Sequence, residues 1–228
     1  MASIQPAKVT VQQLGRETEP LVIIDGFTGA PERLCAAAQE AEYRDPGASY
    51  PGIRAWADPS YLDIRRDLIM QIMQRVFGFR RGVSLEVSTF SLVTCDPADL
   101  SDRQRIPHYD HDQGDLIAVM HYLCDKESGG TAFYRHRRTG FEAITPARQA
   151  GYNAAQGEDE REFGAPPPGY CYGDSDRYEM IGEVEARPDR LALYRGRLLH
   201  SGVISQPELL SADPAKGRLT VNMFLRGA

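Results

Sequence analysis

The segment PHYDHDQGDLIAVMHYL, residues 107–123, holds three of the five histidines of the chain, and two of them lie within nine residues of three aspartates. His108 and Asp110 form an H-x-D triplet, and residues two apart in an extended segment point to the same side of the backbone. An imidazole and a carboxylate can therefore bind one metal ion together. The triplet alone is weak evidence, because a chain of this composition contains an H-x-D by chance in roughly one case in three.

A third candidate ligand lies much farther along the chain. His200 follows an apolar run in the segment LALYRGRLLHSGVI, 90 residues after Asp110. Two histidines and one carboxylate that leave adjacent positions of the ion open make the facial triad of non-haem Fe(II) oxygenases. The pattern predicts an iron site built from His108, Asp110 and His200. The alternative is that the three residues have unrelated roles in loops and in the core.

A cation near such a site can bind the distal carboxylate of a cosubstrate. In GRLTVNMFL, residues 217–225, Arg218 and Thr220 lie on one face of a predicted terminal strand. Arg218 can donate two parallel hydrogen bonds to a carboxylate, and the Thr220 hydroxyl can donate one more. Lys216 is two residues earlier on the same face and competes with Arg218 for this role.

The composition sets limits on the class of protein. The chain has 228 residues, of which 42% are hydrophobic and 25% charged, as in an ordinary globular protein with one core. Its formal net charge of −6 argues against a nucleic-acid partner. Four cysteines without a C-x-x-C pair fit reduced thiols. Neither a secretion signal nor a membrane span is found, so we expect a soluble, cytoplasmic protein.

The periodicity of the sequence predicts helices followed by strands. A buried strand is expected over residues 20–27, a helix within residues 30–44, a loop over residues 50–60 and an amphipathic helix within residues 59–79. Further strands are expected over residues 83–94, 115–123, 130–136, 140–144, 191–196 and 218–225. A chain with this order is expected to form a mainly β jelly roll with its N-terminal helices packed outside. We therefore expect a single domain, with strand and helices in residues 1–82 and the jelly-roll core in residues 83–228.

One segment interrupts this pattern. Residues 151–178 are acidic and rich in Gly and Pro, and three consecutive prolines in them cannot join a central strand. A loop of this length within a compact domain is often a lid over a binding site, and surface disorder is the alternative.

Taken together, these features resemble the Fe(II)/2-oxoglutarate dioxygenase superfamily, most closely its prolyl-hydroxylase-like branch. The resemblance covers most of the chain outside residues 44–80 and 147–180. Its motifs are LVIIDGFTGAPERL at 21–34, HYD at 108–110, HYLCDKESGGTAFYR at 121–135, LLHSGV at 198–203 and RLT at 218–220. The segments YPGIR at 50–54 and GGTAFYRH at 129–136 also resemble an uncharacterised bacterial group of that superfamily.

The resemblance implies a fold, a ligand set and an activity. The fold would be a double-stranded β-helix, and His108, Asp110 and His200 would bind Fe(II). Arg218 would bind the distal carboxylate of 2-oxoglutarate, helped by Thr220 and by the phenol of Tyr122. With dioxygen as the second cosubstrate, the expected reaction is hydroxylation of a small molecule, an amino acid or a peptide. The spacing of 18 residues from His200 to Arg218 is longer than is usual in the superfamily and keeps Lys216 as a competing anchor.

Several other residues have more than one interpretation. His111 is predicted to point away from the site, and His121, within an apolar run, is predicted to be a hydrogen-bonded core histidine. Arg135 or Arg137 in YRHRR could pair with an anionic substrate group, although such a stretch is usually a solvated surface. Trp56, beside Arg54, could line a pocket, but we expect it to cover the core.

Two other functions remain open at this stage. The first is a cupin-like metal protein of different chemistry, which would usually need a third histidine, here His111 or His121. The second is a non-catalytic jelly roll that serves as a binding module.

Overall fold

The computed structural model describes residues 6–47 and 50–228. Within these residues the strands are β1 (Lys8–Leu14), β2 (Glu19–Asp25), β3 (Gly52–Trp56), β4 (Val83–Val93), β5 (Leu116–Tyr122), β6 (Thr131–His136), β7 (Tyr178–Val184), β8 (Arg190–Arg195), β9 (His200–Gly202) and β10 (Leu219–Gly227). The α-helices are α1 (Glu32–Gln39), α2 (Arg66–Arg75) and α3 (Pro146–Phe163). A 3-10 helix over Pro59–Arg65 leads directly into α2.

The strands form two antiparallel sheets. The larger sheet has the order β1-β2-β8-β5-β10-β4-β3, and the smaller sheet has the order β7-β6-β9. The last strand of the chain, β10, lies between β4 and β5, so strands from distant parts of the chain interleave as in a jelly roll. The predicted fold class, a mainly β double-stranded β-helix with flanking helices, is confirmed.

The two faces of the larger sheet have different partners. On the outer face, Val221 of β10 and Ile72 of α2 belong to one apolar cluster. On the inner face, Tyr122 of β5 packs with Phe133 of β6 in the smaller sheet. Because successive residues of a strand point to opposite faces, Thr220 points inward if Val221 points outward.

The pairing register aligns a row of residues on the inner face. Thr220 is paired with Ser91 in β4 on one side and with Tyr122 in β5 on the other, and Ser91 is paired with Arg54 in β3. Directly paired residues of an antiparallel ladder point to the same face. Four neighbouring strands therefore present these four side chains to the space between the sheets.

One predicted loop is an edge strand. The sequence predicts a loop over residues 50–60, but Gly52–Trp56 forms β3, which pairs with β4. Gly52 suggested a turn, yet its missing side chain allows the backbone to approach the carbonyl group of Leu92 closely. Since β1, β2 and β3 all join the larger sheet, the N-terminal third of the chain contributes strands to the barrel as well as helices outside it.

A second correction concerns residues 151–178, for which a loop is predicted. Residues 151–163 belong to α3, and only residues 164–177 form a loop before β7. Pro146 suits the first turn of a helix, and Ala, Gln and Glu favour its interior. The buried residues of α3 are only Tyr152, Ala155 and Asp159. Its apolar periodicity is therefore too weak to predict the helix.

The shorter elements differ from the predictions in both directions. The strand predicted over residues 140–144 is wrong, since Ala143 makes only an isolated bridge with Leu198. Neither β1 nor β7 is predicted from the sequence. Most residues of β1 are exposed, so this strand lacks the apolar alternation that marks a half-buried strand.

Two predictions from composition can be compared with the fold. The four cysteines are free thiols, as their spacing predicts. Among the described residues, no helix combines the length and the apolar character that crossing a bilayer requires.

Candidate metal centre and cosubstrate pocket

His108 and His200 lie side by side because their backbones pair. The His108 N–H donates to the His200 carbonyl at 2.9 Å, and the His200 N–H donates to the His108 carbonyl at 2.8 Å. This isolated bridge lies on the free side of β9 and extends the smaller sheet. The two imidazole centroids are 4.4 Å apart. Residues that are distant in the sequence are therefore held as immediate neighbours.

The carboxylate of Asp110 completes a cluster of three side chains. The Asp110 N–H donates to the Gly196 carbonyl at 2.7 Å, which fixes this segment beside the end of β8. Asp110 Oδ1 is 3.9 Å from His108 Nε2, and Asp110 Oδ2 is 3.6 Å from His200 Nε2. One potential ligand atom from each residue lies within 4.8 Å of the others. The structure thus brings all three predicted metal ligands together.

The protonation of the two histidines suits metal binding. His200 Nδ1 is 2.8 Å from the Leu198 carbonyl, and since a carbonyl only accepts, Nδ1 carries the proton and Nε2 the lone pair. Burial lowers the pKa of His200 to about 4, and partial desolvation and the adjacent His200 lower the pKa of His108. Both imidazoles are therefore neutral at neutral pH, as ligands must be. His200 is buried, whereas 55% of the His108 side chain is exposed and faces the open side of the cluster.

Asp110 is poorly satisfied by its protein surroundings. Burial raises the pKa of its carboxyl group, and the charges of His108 and Arg54 lower it. Asp110 Oδ2 is buried and has no hydrogen-bond partner among the described residues. A buried polar atom without a partner costs free energy, which a bound cation would remove. The three side chains therefore fit a divalent metal ion, with the solvent-facing side of His108 left open.

Arg218 lies near this cluster, immediately before β10, and only 4% of the residue is exposed. Its Nη2 donates to the Gly130 carbonyl at 2.6 Å, while Nε has no hydrogen-bond partner within the described part of the chain. A side-chain carbon on Gly202, two residues after His200, would be 3.8 Å from Nη2. A buried guanidinium group normally pairs with a carboxylate. The Gly130 carbonyl, which Nη2 contacts, carries no charge to balance that of the guanidinium group.

Tyr122 and Thr220 add two hydroxyl groups to the same buried region. The Tyr122 ring centroid is 6.0 Å from Arg218 Cζ, and the Tyr122 hydroxyl is 2.6 Å from Thr131 Oγ1. The Thr220 hydroxyl donates to Asn222 Oδ1 at 2.8 Å. Burial raises the pKa of Tyr122 to about 12, so its phenol keeps the proton and can donate it to a carboxylate. The three residues predicted to bind the cosubstrate are therefore neighbours.

Lys216 lies outside this region. Its side chain is 76% exposed, and its Nζ is 3.2 Å from Asp213 Oδ2. The long spacing between His200 and Arg218 is taken up by a surface connection that includes a 3-10 helix over Pro207–Leu209. Of the two competing cations, the structure places only Arg218 beside the metal cluster.

Sequence analysis did not identify two tyrosines of the site. The Tyr194 ring centroid is 4.9 Å from that of His200, and burial and the negative charge of Asp110 raise the Tyr194 pKa. The Tyr50 hydroxyl is buried without a hydrogen-bond partner among the described residues, and the Tyr50 ring centroid is 4.0 Å from Arg54 Cζ. Tyr194 stands in an apolar run, where an aromatic residue is indistinguishable from a core residue. The YPGIR segment was the only signal for Tyr50 and Arg54.

The other candidate histidines lie away from the cluster. His111 Nδ1 accepts a hydrogen bond from the Gln113 N–H at 3.1 Å within a turn. His121 is fully buried on the outer face of the larger sheet, where its ring nitrogens are 3.1 Å from Asp189 Oδ1 and 3.2 Å from the Tyr61 hydroxyl. Both positions agree with the predictions for these residues.

The basic YRHRR stretch is neutralised by acidic residues. Arg135 is buried and donates to Glu142 at 2.7 Å and to Glu179 at 2.6 Å. Arg137 pairs with Asp174 at 3.0 Å. The favoured interpretation, a solvated surface, holds for Arg137 but not for the buried Arg135, and the pairing of both guanidinium groups with acids gives the alternative role in substrate binding no support.

The loop over residues 164–177 packs mainly on the outer face of the smaller sheet. Its Tyr170 hydroxyl donates to the Cys95 carbonyl at 2.7 Å. Cys171 belongs to one apolar cluster with Tyr134 and Leu199, whereas His200 points to the inner face with Phe133 and Tyr194. A cavity of about 350 Å³ lies between this loop and residues 105–107. The loop is therefore held against the barrel chiefly on the face opposite to His200.

The fold and the cluster define a double-stranded β-helix protein with a two-histidine, one-carboxylate site. The chain belongs to a family described as a family of unknown function (DUF6445), whose model matches residues 5–225. No curated protein was found to match the sequence.

Solved structures with a similar fold include those of two proteins named SnoN and HygX. One is SnoN, the non-heme alpha ketoglutarate dependent epimerase from nogalamycin biosynthesis, with 16% identity and a TM-score of 0.51 over 92% of this chain and 79% of SnoN. Another is HygX from Streptomyces hygroscopicus with nickel, 2-oxoglutarate and hygromycin B bound, with 15% identity and a TM-score of 0.50 over 93% of this chain and 84% of HygX. At these identities the similarity establishes the shared fold.

Proposed function

We propose that this chain is an Fe(II)- and 2-oxoglutarate-dependent oxygenase that hydroxylates a small molecule, an amino acid or a peptide. One observation supports the proposal most strongly. Two neutral imidazoles converge on a buried carboxylate oxygen that has no hydrogen-bond partner among the described residues, beside a buried arginine with an unsatisfied Nε. The cluster of His108, Asp110 and His200 suits a cation, and the guanidinium group of Arg218 suits an anion.

Each predicted residue has a distinct task in this proposal. His108, Asp110 and His200 would hold the iron, and Arg218 would bind the distal carboxylate of 2-oxoglutarate. With iron bound, the site would activate dioxygen for attack on a substrate C–H bond. This activation would be coupled to the oxidative decarboxylation of 2-oxoglutarate. Tyr122 would donate a further hydrogen bond to the cosubstrate carboxylate, and Thr220 would donate another once its hydroxyl is released from Asn222 Oδ1.

The surroundings of these groups favour binding and exclude water. Arg218, Tyr122 and Thr220 are almost fully buried, and charge-assisted hydrogen bonds are stronger in a region of low dielectric constant. Tyr194 and Phe133, whose ring centroids are 5.0 Å apart, form an apolar wall next to His200. The occupants of HygX, nickel and 2-oxoglutarate, are the kinds of ligand that such a site would accept.

The two alternative functions have less support. A cupin-like site would need His111 or His121 as a third imidazole, and the structure places both in other hydrogen-bonded positions. A non-catalytic binding module has no need of the unsatisfied carboxylate oxygen of Asp110 or of the buried charge of Arg218.

Anaerobic addition of Fe(II) and 2-oxoglutarate tests the proposal. We expect a weak visible charge-transfer band from the chelated cosubstrate. The band should be lost in Asp110→Ala, which removes the carboxylate ligand, and retained in His111→Ala, which removes a nearby histidine outside the cluster. Circular dichroism would establish that both variants are folded. A wild-type protein that binds Fe(II) but gives no band with 2-oxoglutarate would contradict the proposed function.

A further inference from the structure

The inner face of the larger sheet is only partly covered. Near β5 and β8 it packs against the smaller sheet. Toward the β3 edge, Asn222 and Phe224 of β10 are half-exposed, whereas Val221 and Met223, which point to the outer face, are buried. The exposed side of the sheet therefore lies on the same face as the cosubstrate pocket.

The register identifies the residues that line this uncovered region. Trp56 is paired with Thr89, Thr89 with Asn222, and Val87 with Phe224, so all of them point inward with Arg54. We call this region the open groove; it consists of Arg54, Trp56, Val87, Thr89, Asn222 and Phe224.

Trp56 does not cover the core, contrary to the prediction from sequence. Its exposed fraction is 71%, the largest among the exposed large hydrophobic residues of the described chain. Its neighbour on the outer face, Ala55, is buried in the helix-side cluster. An exposed indole on the face that carries a candidate active site offers a flat apolar surface to a ligand.

Arg54 provides the charge of the groove. Its Nε is buried without a hydrogen-bond partner among the described residues, and its guanidinium group stacks on the Tyr50 ring at 4.0 Å. Other partly buried arginines pair with acids; Arg190, for example, donates to Asp25 at 2.6 Å, and Arg197 donates to Glu19 at 3.0 Å. The stacking fixes the guanidinium group and leaves its hydrogen-bonding edge for an anion.

The register places Arg54 at the end of the groove next to the cosubstrate pocket, in one row with Ser91, Thr220 and Tyr122. At the opposite end of the inner face, the guanidinium group of Arg226 is already paired with Glu86 and with Asp115. The unpaired positive charge of the groove therefore lies at the end beside this pocket.

We propose that the open groove binds the substrate, with its carboxylate on Arg54 and an aromatic or apolar group against Trp56. The proposal rests on the proposed function and narrows its substrate to a carboxylic acid, such as an amino acid derivative or the C-terminus of a peptide. One guanidinium group balances a single negative charge, which favours a carboxylate over a phosphate dianion. Arg218 remains the anchor of the cosubstrate.

Fluorescence of Trp56 provides a direct test, because it is the only tryptophan of the chain. The protein is loaded with Ni(II) and saturating 2-oxoglutarate, so that the Arg218 pocket is filled, and titrated with N-acetylphenylalanine or with its neutral amide. We expect a saturable change with the acid and binding of the amide that is weaker by about tenfold or more, as for loss of one charge-assisted hydrogen-bonded pair.

Substitution of Arg54 tests the origin of this preference. Arg54→Met should bind the acid and the amide equally, whereas Arg44→Met, which alters an arginine side chain that is 81% exposed, should keep the preference. Equal binding of the two probes to the wild type, no response to either probe, or an unchanged preference in Arg54→Met would overturn the proposal.

Calorimetric titration with 2-oxoglutarate separates this proposal from the proposed function. The Ni(II)-loaded wild type and Arg54→Met should bind 2-oxoglutarate equally. Weaker cosubstrate binding in Arg54→Met would assign Arg54 to the cosubstrate pocket and overturn the substrate role. If 2-oxoglutarate does not bind to the wild type, the proposed function fails, while the probe titration still tests the groove on its own.

Discussion

At the scale of single residues, Lys216 and Arg218 show how burial distinguishes two similar cations. They lie two positions apart, yet the Lys216 side chain is 76% exposed and paired with Asp213, whereas Arg218 is 4% exposed. An exposed ion pair contributes little free energy. A buried guanidinium group with an unsatisfied Nε gains much more from a carboxylate ligand. The two residues should therefore differ strongly in their effect on cosubstrate binding.

Arg218→Met is expected to weaken 2-oxoglutarate binding to the Ni(II)-loaded protein by about 10- to 100-fold, because a charged hydrogen-bonded pair in a buried site is lost. Arg218→Lys should recover only part of the affinity, since an ammonium group cannot form the parallel hydrogen bonds of a guanidinium group. Calorimetric titration measures both effects, and a titration with Ni(II) alone should give the wild-type affinity.

The matched control for this experiment is Lys216→Met. It removes a cation from the same segment and should leave 2-oxoglutarate affinity unchanged. Equal losses in Arg218→Met and Lys216→Met would mean that the general positive charge of the segment, and not the buried anchor, attracts the cosubstrate.

The sequence predicted the residues that carry distinctive chemistry better than those that surround them. His108, Asp110 and His200 form an unusual combination of types, and the structure places their side chains together. Tyr194 and Tyr50 reach the same site, but a tyrosine in a strand or before a turn is also common in cores and on surfaces. Their roles depend on the register between strands that are distant in the sequence, which a single sequence does not specify.

At the scale of elements, strong apolar periodicity was a reliable guide and weak periodicity was not. The apolar face of α2 and the strands β4, β5 and β10 were predicted close to their observed positions. The helix α3 buries few residues, and the edge strand β3 begins at Gly52, directly after Pro51. Both elements owe their structure to tertiary contacts, which override local propensity. β3 is also the element that supplies Arg54 and Trp56 to the open groove.

The element contacts include a buried network that connects the β2–α1 turn to the barrel. Asp189, at the end of the β7–β8 connection, accepts hydrogen bonds from the Thr28 N–H at 2.9 Å and from the Gly29 N–H at 2.7 Å. Its Oδ1 is also 3.1 Å from His121 Nε2 in β5. Burial alone would raise the pKa of Asp189, but hydrogen bonds from His121 and from the turn lower it.

Asp189→Asn is expected to lower the free energy of unfolding by about 2–3 kcal/mol, because an amide cannot accept all of these hydrogen bonds and leaves buried donors unsatisfied. Asn tolerates the positive backbone angle at this position, φ 62°, so backbone strain should not contribute. Urea unfolding at neutral pH measures the loss. Asp99→Asn, at an exposed aspartate, is the control and should change stability little.

The sign of the pH dependence follows from the lowered pKa of Asp189. A carboxylate whose pKa is lower in the folded than in the unfolded state stabilises the protein fully at a pH above its unfolded-state pKa, 3.8. This stabilisation is lost as the pH falls through the lower pKa of the folded state. The difference between wild type and Asp189→Asn should therefore be equal at pH 6 and pH 8 and become smaller below pH 3.8. A difference that grows in acid would contradict this role of the carboxylate.

At the scale of the whole molecule, the candidate site depends on completion of the barrel. Its ligands come from the segment before β5 and from β9, and its anchor, Arg218, immediately precedes β10, the last strand of the chain. The bridge between His108 and His200 and the placement of β10 between β4 and β5 both require that distant segments have already met. An unfolded chain therefore has no preformed site, and ligands that bind the site bind the folded state alone.

This dependence predicts that metal and cosubstrate stabilise the entire fold. A ligand present at about 100 times its dissociation constant adds about 2.7 kcal/mol to the free energy of unfolding, which corresponds to a rise in Tm of about 5–10 °C for a domain of this size. Ni(II) with 2-oxoglutarate should produce such a rise in thermal unfolding followed by circular dichroism, and 2-oxoglutarate without metal should produce a smaller one. In Asp110→Ala the metal-dependent rise should disappear, whereas His111→Ala should behave as the wild type. An equal rise in Asp110→Ala would show that the metal binds at a different place and stabilises the protein without the three converging side chains.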